Sequence, residues 1–154
     1  MQLRQARPKD IPRLIDLFVE AIRVLGAQRY DEAQRAAWSR AADDRDGFGE
    51  RLSAMHVLLA EQDGLLLGFL GYFEDGHMDF LYTAPAAARR GVATALHRQV
   101  EATLRAAGVT ELYTEASLVA RPFFEAQGYR VTEEEVLERQ GVQLRRFRMR
   151  KPLA

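Results

Sequence analysis

Two Asp-Gly pairs, Asp63-Gly64 and Asp75-Gly76, separate three apolar runs of strand length, and few architectures accept that pattern. Asp-Gly suits two-residue hairpin turns, whose central residues need positive φ. The runs cover residues 56–61, 65–73 and 77–83, and they predict a three-stranded antiparallel meander. The middle run is apolar on both faces, which places it inside the sheet.

After Thr83 the periodicity changes. Pro85 ends the third strand, and Ala93, Leu96, Val100, Leu104 and Ala107 then follow at helical spacing, with Gly108 closing the helix. Arg98, Glu101, Arg105 and His97 are assigned to its outer surface. Residues 111–116 read as a strand again. Strand, helix and strand in order imply a parallel pair with a right-handed crossover. Ahead of the meander lie a short strand at 3–6 and a helix with Asp10 as N-cap and Pro12 in its first turn. A second helix begins near Asp31 and puts Tyr30, Gln34 and Trp38 on one face; a short helix covers 48–55. At the far end come a short helix at 119–127 and an antiparallel hairpin, 129–139 with 142–151, turning at Gln140-Gly141. The 154 residues suit one domain.

Charge and composition exclude several classes of function. Acidic and basic residues number 22 each, so nothing asks for nucleic acid or an anionic membrane. There is no cysteine, hence no disulfide, no cysteine-held zinc and no thiol nucleophile. No apolar run approaches the roughly 18–20 residues that span a bilayer, and the first residues carry no signal-peptide core. A cytoplasmic location is the expectation. All basic residues except Lys9 and Lys151 are arginine, a bias assigned to genome composition.

The segment that carries chemistry is Ala88-Arg89-Arg90-Gly91-Val92-Ala93-Thr94, a loop entering a helix. Helix N-termini present unpaired amides and a positive dipole end, a natural seat for a pyrophosphate. Gly91 lets a phosphate approach the backbone, Ala93 keeps the first turn small, and the arginines add charge. An ordinary loop with surface arginines has the same appearance. Gly-Lys-Ser/Thr is absent, which excludes a Walker P-loop, and the Rossmann fingerprint is absent too.

Residues 77–130, HMDFLYTAPAAARRGVATALHRQVEATLRAAGVTELYTEASLVARPFFEAQGYR, resemble the GNAT acetyltransferase superfamily, and within it the YafP-like branch. The flanking elements extend the likeness over the whole chain at the level of element order. The resemblance implies an α+β acyl-CoA N-acyltransferase fold: a mixed, mostly antiparallel sheet of six to seven strands, a splayed parallel strand pair and about four helices. It implies an enzyme that moves an acetyl group from acetyl-CoA, without a metal, to an amine of a small molecule or peptide. The family loop reads Gln/Arg-x-x-Gly-x-Gly/Ala. Gly91 and Ala93 match its last two fixed positions, and Ala88 departs from the first. By the same resemblance Arg89, Arg90, Gly91, Val92, Ala93 and Thr94 hold the diphosphate, and the backbone of Leu81, Tyr82 and Thr83 pairs with the pantetheine arm in the manner of strand addition. Ser117 stands where many relatives carry an asparagine beside the cofactor; it also suits an N-cap for the next helix. Phe124 stands where many relatives carry a tyrosine that protonates the departing thiolate. Phenylalanine cannot donate, so either another group does or the thiolate leaves unaided.

An alkyl amine is mostly protonated in water, so a general base helps. Along an extended strand His77, Asp79, Leu81 and Thr83 point the same way, with Tyr82 opposite, assigned to packing. His77 has suitable basicity; a plain turn residue is its other reading. Asp79 and Glu115 are carboxylates within strands, and catalysis and structural hydrogen bonding both account for them. An amide near Leu81 is the candidate to polarise the thioester carbonyl. Tyr30 and Trp38 line the acceptor pocket or belong to a core aromatic stripe. The competing function is a GNAT-like module that holds acyl-CoA without turnover, a reading that Ala88 and Phe124 favour. A homodimer through the C-terminal strands accompanies the resemblance.

Overall fold

The computed structural model describes residues 1–153. Its strands are β1 (Gln2–Gln5), β2 (His56–Gln62), β3 (Leu65–Tyr72), β4 (His77–Thr83), β5 (Glu111–Ser117), β6 (Arg130–Arg139) and β7 (Val142–Pro152). The helices are α1 (Ile11–Leu25), α2 (Glu32–Ser39), α3 (Arg45–Ser53), α4 (Val92–Ala106) and α5 (Arg121–Ala126). All strands join one sheet in the order β1-β2-β3-β4-β5-β7-β6. Every neighbouring pair is antiparallel except β4 and β5. The count of about four helices becomes five with α5, only six residues long.

Turn chemistry sets the meander. Asp63 and Gly64 have φ 53° and 79°, both positive as a tight primed turn demands. The Asp75-Gly76 turn is wider: Phe73 N–H donates to the His77 carbonyl at 2.9 Å and Gly76 N–H to the Phe73 carbonyl at 3.1 Å. Gly76 has φ 106°, and a Cβ there would stand 2.3 Å from the Glu111 carbonyl. That turn is therefore pressed against the start of β5.

Each sheet face has its own core. On one, Leu14, Ile15, Phe18 and Ile22 of α1 pack with Phe48 and Leu52 of α3 over Val57, Leu59, Phe69 and Phe80. On the other, Val92, Leu96, Val100 and Leu104 of α4 pack with Phe124 over Leu58, Ala60, Leu70 and Met78. Burial of each such side chain contributes about 1.5–3 kcal/mol.

Several expectations need correction. A bulge falls at Asp79, because Gly71 pairs with Phe80 and Tyr72 with Met78. The extra residue breaks the two-residue alternation of β4. Leu81 therefore joins the α4-side core while Phe80 and Tyr82 belong to the α1 side. Asp79 and Tyr82 open on the same cleft rather than on opposite faces. His97 is buried, 1% exposed, and its Nε2 lies 2.7 Å from the Tyr129 hydroxyl. Desolvation pushes its pKa down to about 4, so the ring sits neutral inside the protein. Ala107, placed in the stripe, is exposed. Asp10 does not cap α1 with its side chain. It is buried and accepts Arg7 N–H at 2.8 Å and both Arg4 Nη groups at 2.9 Å. The Arg4 hydrogen bonds overcome desolvation and hold its carboxyl below the usual range. α3 starts at Arg45, ahead of Phe48, because Asp44 accepts Gly47 N–H at 3.1 Å. No described helix is long and apolar enough to cross a membrane.

Candidate active site

The parallel pair at the centre of the sheet is short. β4 and β5 share two register pairs, His77 with Tyr113 and Met78 with Thr114, and then diverge. Thr114 Oγ1 donates to the Met78 carbonyl at 2.8 Å and fastens the fork at its base. Beyond it the β5-facing edge of Leu81, Tyr82 and Thr83 has no strand partner. A cavity of about 170 Å³ fills the opening, lined by Leu81, Thr83, Ala93, Ser117, Tyr30 and Phe123 among others.

The loop between β4 and α4 ends at this opening. Arg89 has φ 63° and Gly91 φ 80°, so the backbone curls just before the helix begins at Val92. Amides of successive residues in such a curl converge on an anion. The first-turn amides of α4, on Val92, Ala93 and Thr94, have no intrahelical acceptor. A Cβ on Gly91 would meet nothing within 4 Å; glycine serves the conformation there and the approach is open. Arg89 and Arg90 are exposed and form no ion pair with a described residue.

At the base of the fork three ionisable side chains converge. Ligand atoms of His77, Asp79 and Glu115 all lie within 4.8 Å of one another, a spacing compatible with a metal ion as well as with proton transfer. Each already has a protein partner. His77 Nε2 is 2.8 Å from Glu115 Oε1, and Asp79 pairs with Arg51 at 3.2 Å. The His77 ring stacks on Tyr113 at 4.7 Å, and the Tyr113 hydroxyl donates to Asp75. Desolvation opposes protonation of His77, but the hydrogen bond and charge of Glu115, with Asp79 and Asp75, outweigh it and raise its pKa above 6.5. Glu115 shows the converse: desolvation is overcome by His77, Arg146 and Arg148, and its pKa falls below 4.5. Both shifts favour the charged pair, with the proton on His77 rather than on Glu115.

Glu115 and Asp79 look into a second cleft of about 110 Å³. Phe18, Trp38, Phe48, Phe80 and Tyr82 give it an aromatic lining, and Arg51, Arg139 and Arg146 add charge. Tyr30 and Trp38 stack at 5.9 Å between the two cavities. Tyr30 Oη accepts the Leu118 N–H at 2.8 Å, tying the segment before α2 to the end of β5. Tyr30 is buried and walls the cavity in the fork; of the two, only Trp38 also lines the aromatic cleft. Ser117 Oγ accepts Ala120 N–H at 3.1 Å, which orders the turn leading to α5. Phe124 is 3% exposed and packs edge-on to Tyr129 and His97.

A family model for the acetyltransferase (GNAT) domain matches residues 26–151. The chain belongs to the GNAT acetyltransferase family. By class this GNAT domain is an acetyl-CoA-dependent N-acetyltransferase. It is similar to the uncharacterized N-acetyltransferase YafP of Escherichia coli strain K12, with 30% identity over 150 residues, 97% of this chain and 95% of the relative. Among solved structures it resembles a GCN5-related N-acetyltransferase, "Aminotransferase, Class-II", of Rhodopseudomonas palustris, with TM-score 0.94 and 34% identity over 99% of this chain and 95% of that one. A PaiA N-acetyltransferase of Thermoplasma acidophilum, solved in complex with coenzyme A, aligns with TM-score 0.76 at 20% identity, covering 98% of both chains; that likeness concerns the fold.

The fold brings His77, Asp79 and Glu115 together, although His77 does not line the cleft. Leu81, Tyr82, Thr83, Ala93, Ser117, Tyr30 and Trp38 line the cavity in the fork, and Phe124 lines a smaller recess with Asp79 and Glu115. Arg89, Arg90, Gly91, Val92 and Thr94 line none of these cavities. Sequence reasoning missed Arg51, Arg139, Phe18 and Phe48. They come from two separate helices and one strand, and arginine is too common in this chain to draw notice.

Proposed function

We propose that this GNAT domain transfers the acetyl group of acetyl-CoA to a primary amine of a small molecule or peptide by direct attack, with no acyl-enzyme. One observation carries the reading. The β4–β5 fork opens between a helix start with free amides and a pair of carboxylates, with one cavity in the fork and a second cleft beside the carboxylates. The diphosphate sits on the amides of residues 89–94, and the pantetheine arm pairs with Leu81 to Thr83 as an added strand. The acceptor enters from the aromatic cleft. Its nitrogen attacks the thioester carbonyl; the new N–C bond forms, the C–S bond breaks and CoA leaves as thiolate. Glu115 takes the amine proton, directly or through water, and His77 shares it. Asp79, compensated by Arg51, helps to position the amine. Phe124 has no proton to give; a thiol of pKa near 8.5 is a fair leaving group unaided.

Calorimetric titration with CoA and acetyl-CoA tests the donor half; no heat at millimolar ligand sinks it. Release of free CoA in the presence of an amine panel tests the acceptor half. The second reading, an acyl-CoA-holding module, draws support from Ala88 and Phe124. Tight CoA binding with no amine consumed across the panel would favour it.

A further inference from the structure

We infer that the aromatic cleft accepts an amine that also bears an anionic group, a carboxylate or phosphate, and that Arg139 receives the anion. The inference rests on the reading of Glu115 as the end of the cleft where the amine reacts. The other cleft charges are already matched. Arg51 pairs with Asp79 at 3.2 Å, and His77 with Glu115 at 2.8 Å. Glu135 takes Arg146 at 3.0 Å and Arg148 at 3.2 Å. The side chain of Arg139 lines the same cleft and forms no hydrogen bond or ion pair with a described residue. Arg146 engages Glu135 through Nε alone, which leaves its outer nitrogens for a second acceptor. The cleft therefore carries one uncompensated positive charge, next to a fork-shaped donor built for carboxylate and phosphate.

Strand register orders the three features. Glu115 pairs with Arg148 and Ser117 with Arg146, so Arg146 lies two residues, about 7 Å, along β7 from the reacting end. Arg139 pairs with Val142, farther in the same direction, beside the hairpin turn. Val142 is six residues, about 20 Å, along β7 from Arg148, and the long Arg139 side chain spans part of that distance to line the cleft with Trp38. Amine and anion should then sit at opposite ends of a short, flat, apolar body. A cleft near 110 Å³ has room for little more.

The test uses matched acceptors on the CoA-loaded protein: para-(aminomethyl)benzoate, its neutral carboxamide, and para-(aminomethyl)phenyl phosphate. Binding is measured by calorimetry in the wild type, in Arg139→Gln and in Arg146→Gln. In the wild type an anionic amine should bind about tenfold tighter than the neutral one, the scale of one charge-assisted hydrogen bond. The ratio should fall toward one in Arg139→Gln and fall partway in Arg146→Gln. Whichever of benzoate and phosphate binds tighter identifies the anion. Equal affinity for charged and neutral amines overturns the inference, as does a preference that survives Arg139→Gln. If the preference appears but no amine is acetylated, the subsite stands and the catalytic reading fails.

Discussion

His77 and Glu115 make opposite demands on pH. His77 has a folded pKa raised above 6.5, so its contribution to stability is complete below 6.5 and is lost as pH climbs through the raised value. Glu115 has a pKa lowered from 4.5, so its share is complete above 4.5 and is lost as pH falls through the lowered value. Activity needs the pair free of its proton. We expect kcat/KM to rise with an inflection above 6.5, and His77→Gln to remove that limb while Glu115 remains. Glu115→Gln should lower kcat by about 100-fold or more, with CoA affinity intact by calorimetry. Tyr30→Phe leaves the Leu118 amide without its acceptor and should cost about 1–3 kcal/mol in urea unfolding. Asp79 and Glu115 stood out in the sequence because carboxylates are rare within strands. The direction of Asp79 did not, since the bulge depends on packing across strands: a Cβ on Gly71 would lie 2.6 Å from the Met55 sulfur. Nor did Arg139, whose meaning arises only in the cleft it lines with residues of α1, α2 and α3.

Among the elements, the β4–α4 loop is the most exacting. Gly91→Val forces a branched side chain to φ 80°, a strain of about 1–2 kcal/mol, although the space around it is empty. The variant should fold, with a slightly lower midpoint in urea, and bind CoA at least tenfold more weakly by calorimetry; unaltered affinity would remove the loop from the cofactor site. This loop was readable because a glycine before an apolar helical stripe is a local signal. The primed turns at Asp63-Gly64 and Gln140-Gly141 were readable for the same reason. α3 was misplaced by three residues because Asp44 as its cap looks like one more acid in a charged stretch. His97 was misassigned because its partner, Tyr129, lies 32 residues away.

Across the whole molecule, the meander, the parallel pair and the C-terminal hairpin followed from turns and the crossover, while the places of β1 and β7 and the extent of the fork did not. How far two parallel strands stay together depends on what wedges between them, and that is a tertiary matter. Thermal unfolding should respond strongly to cofactor. Ligand at about 100 times its Kd adds about 2.7 kcal/mol by mass action, which a scan with and without CoA will register. The sheet also behaves as two slabs, four antiparallel strands and a three-stranded C-terminal group, stitched by two rungs and by the side-chain bonds of Thr114 to Met78, His77 to Glu115 and Tyr113 to Asp75. A cofactor lying in that seam would act as mortar. Amides of β5 should then exchange with solvent more slowly once CoA is bound, whereas β1, at the opposite margin, should keep its own rate.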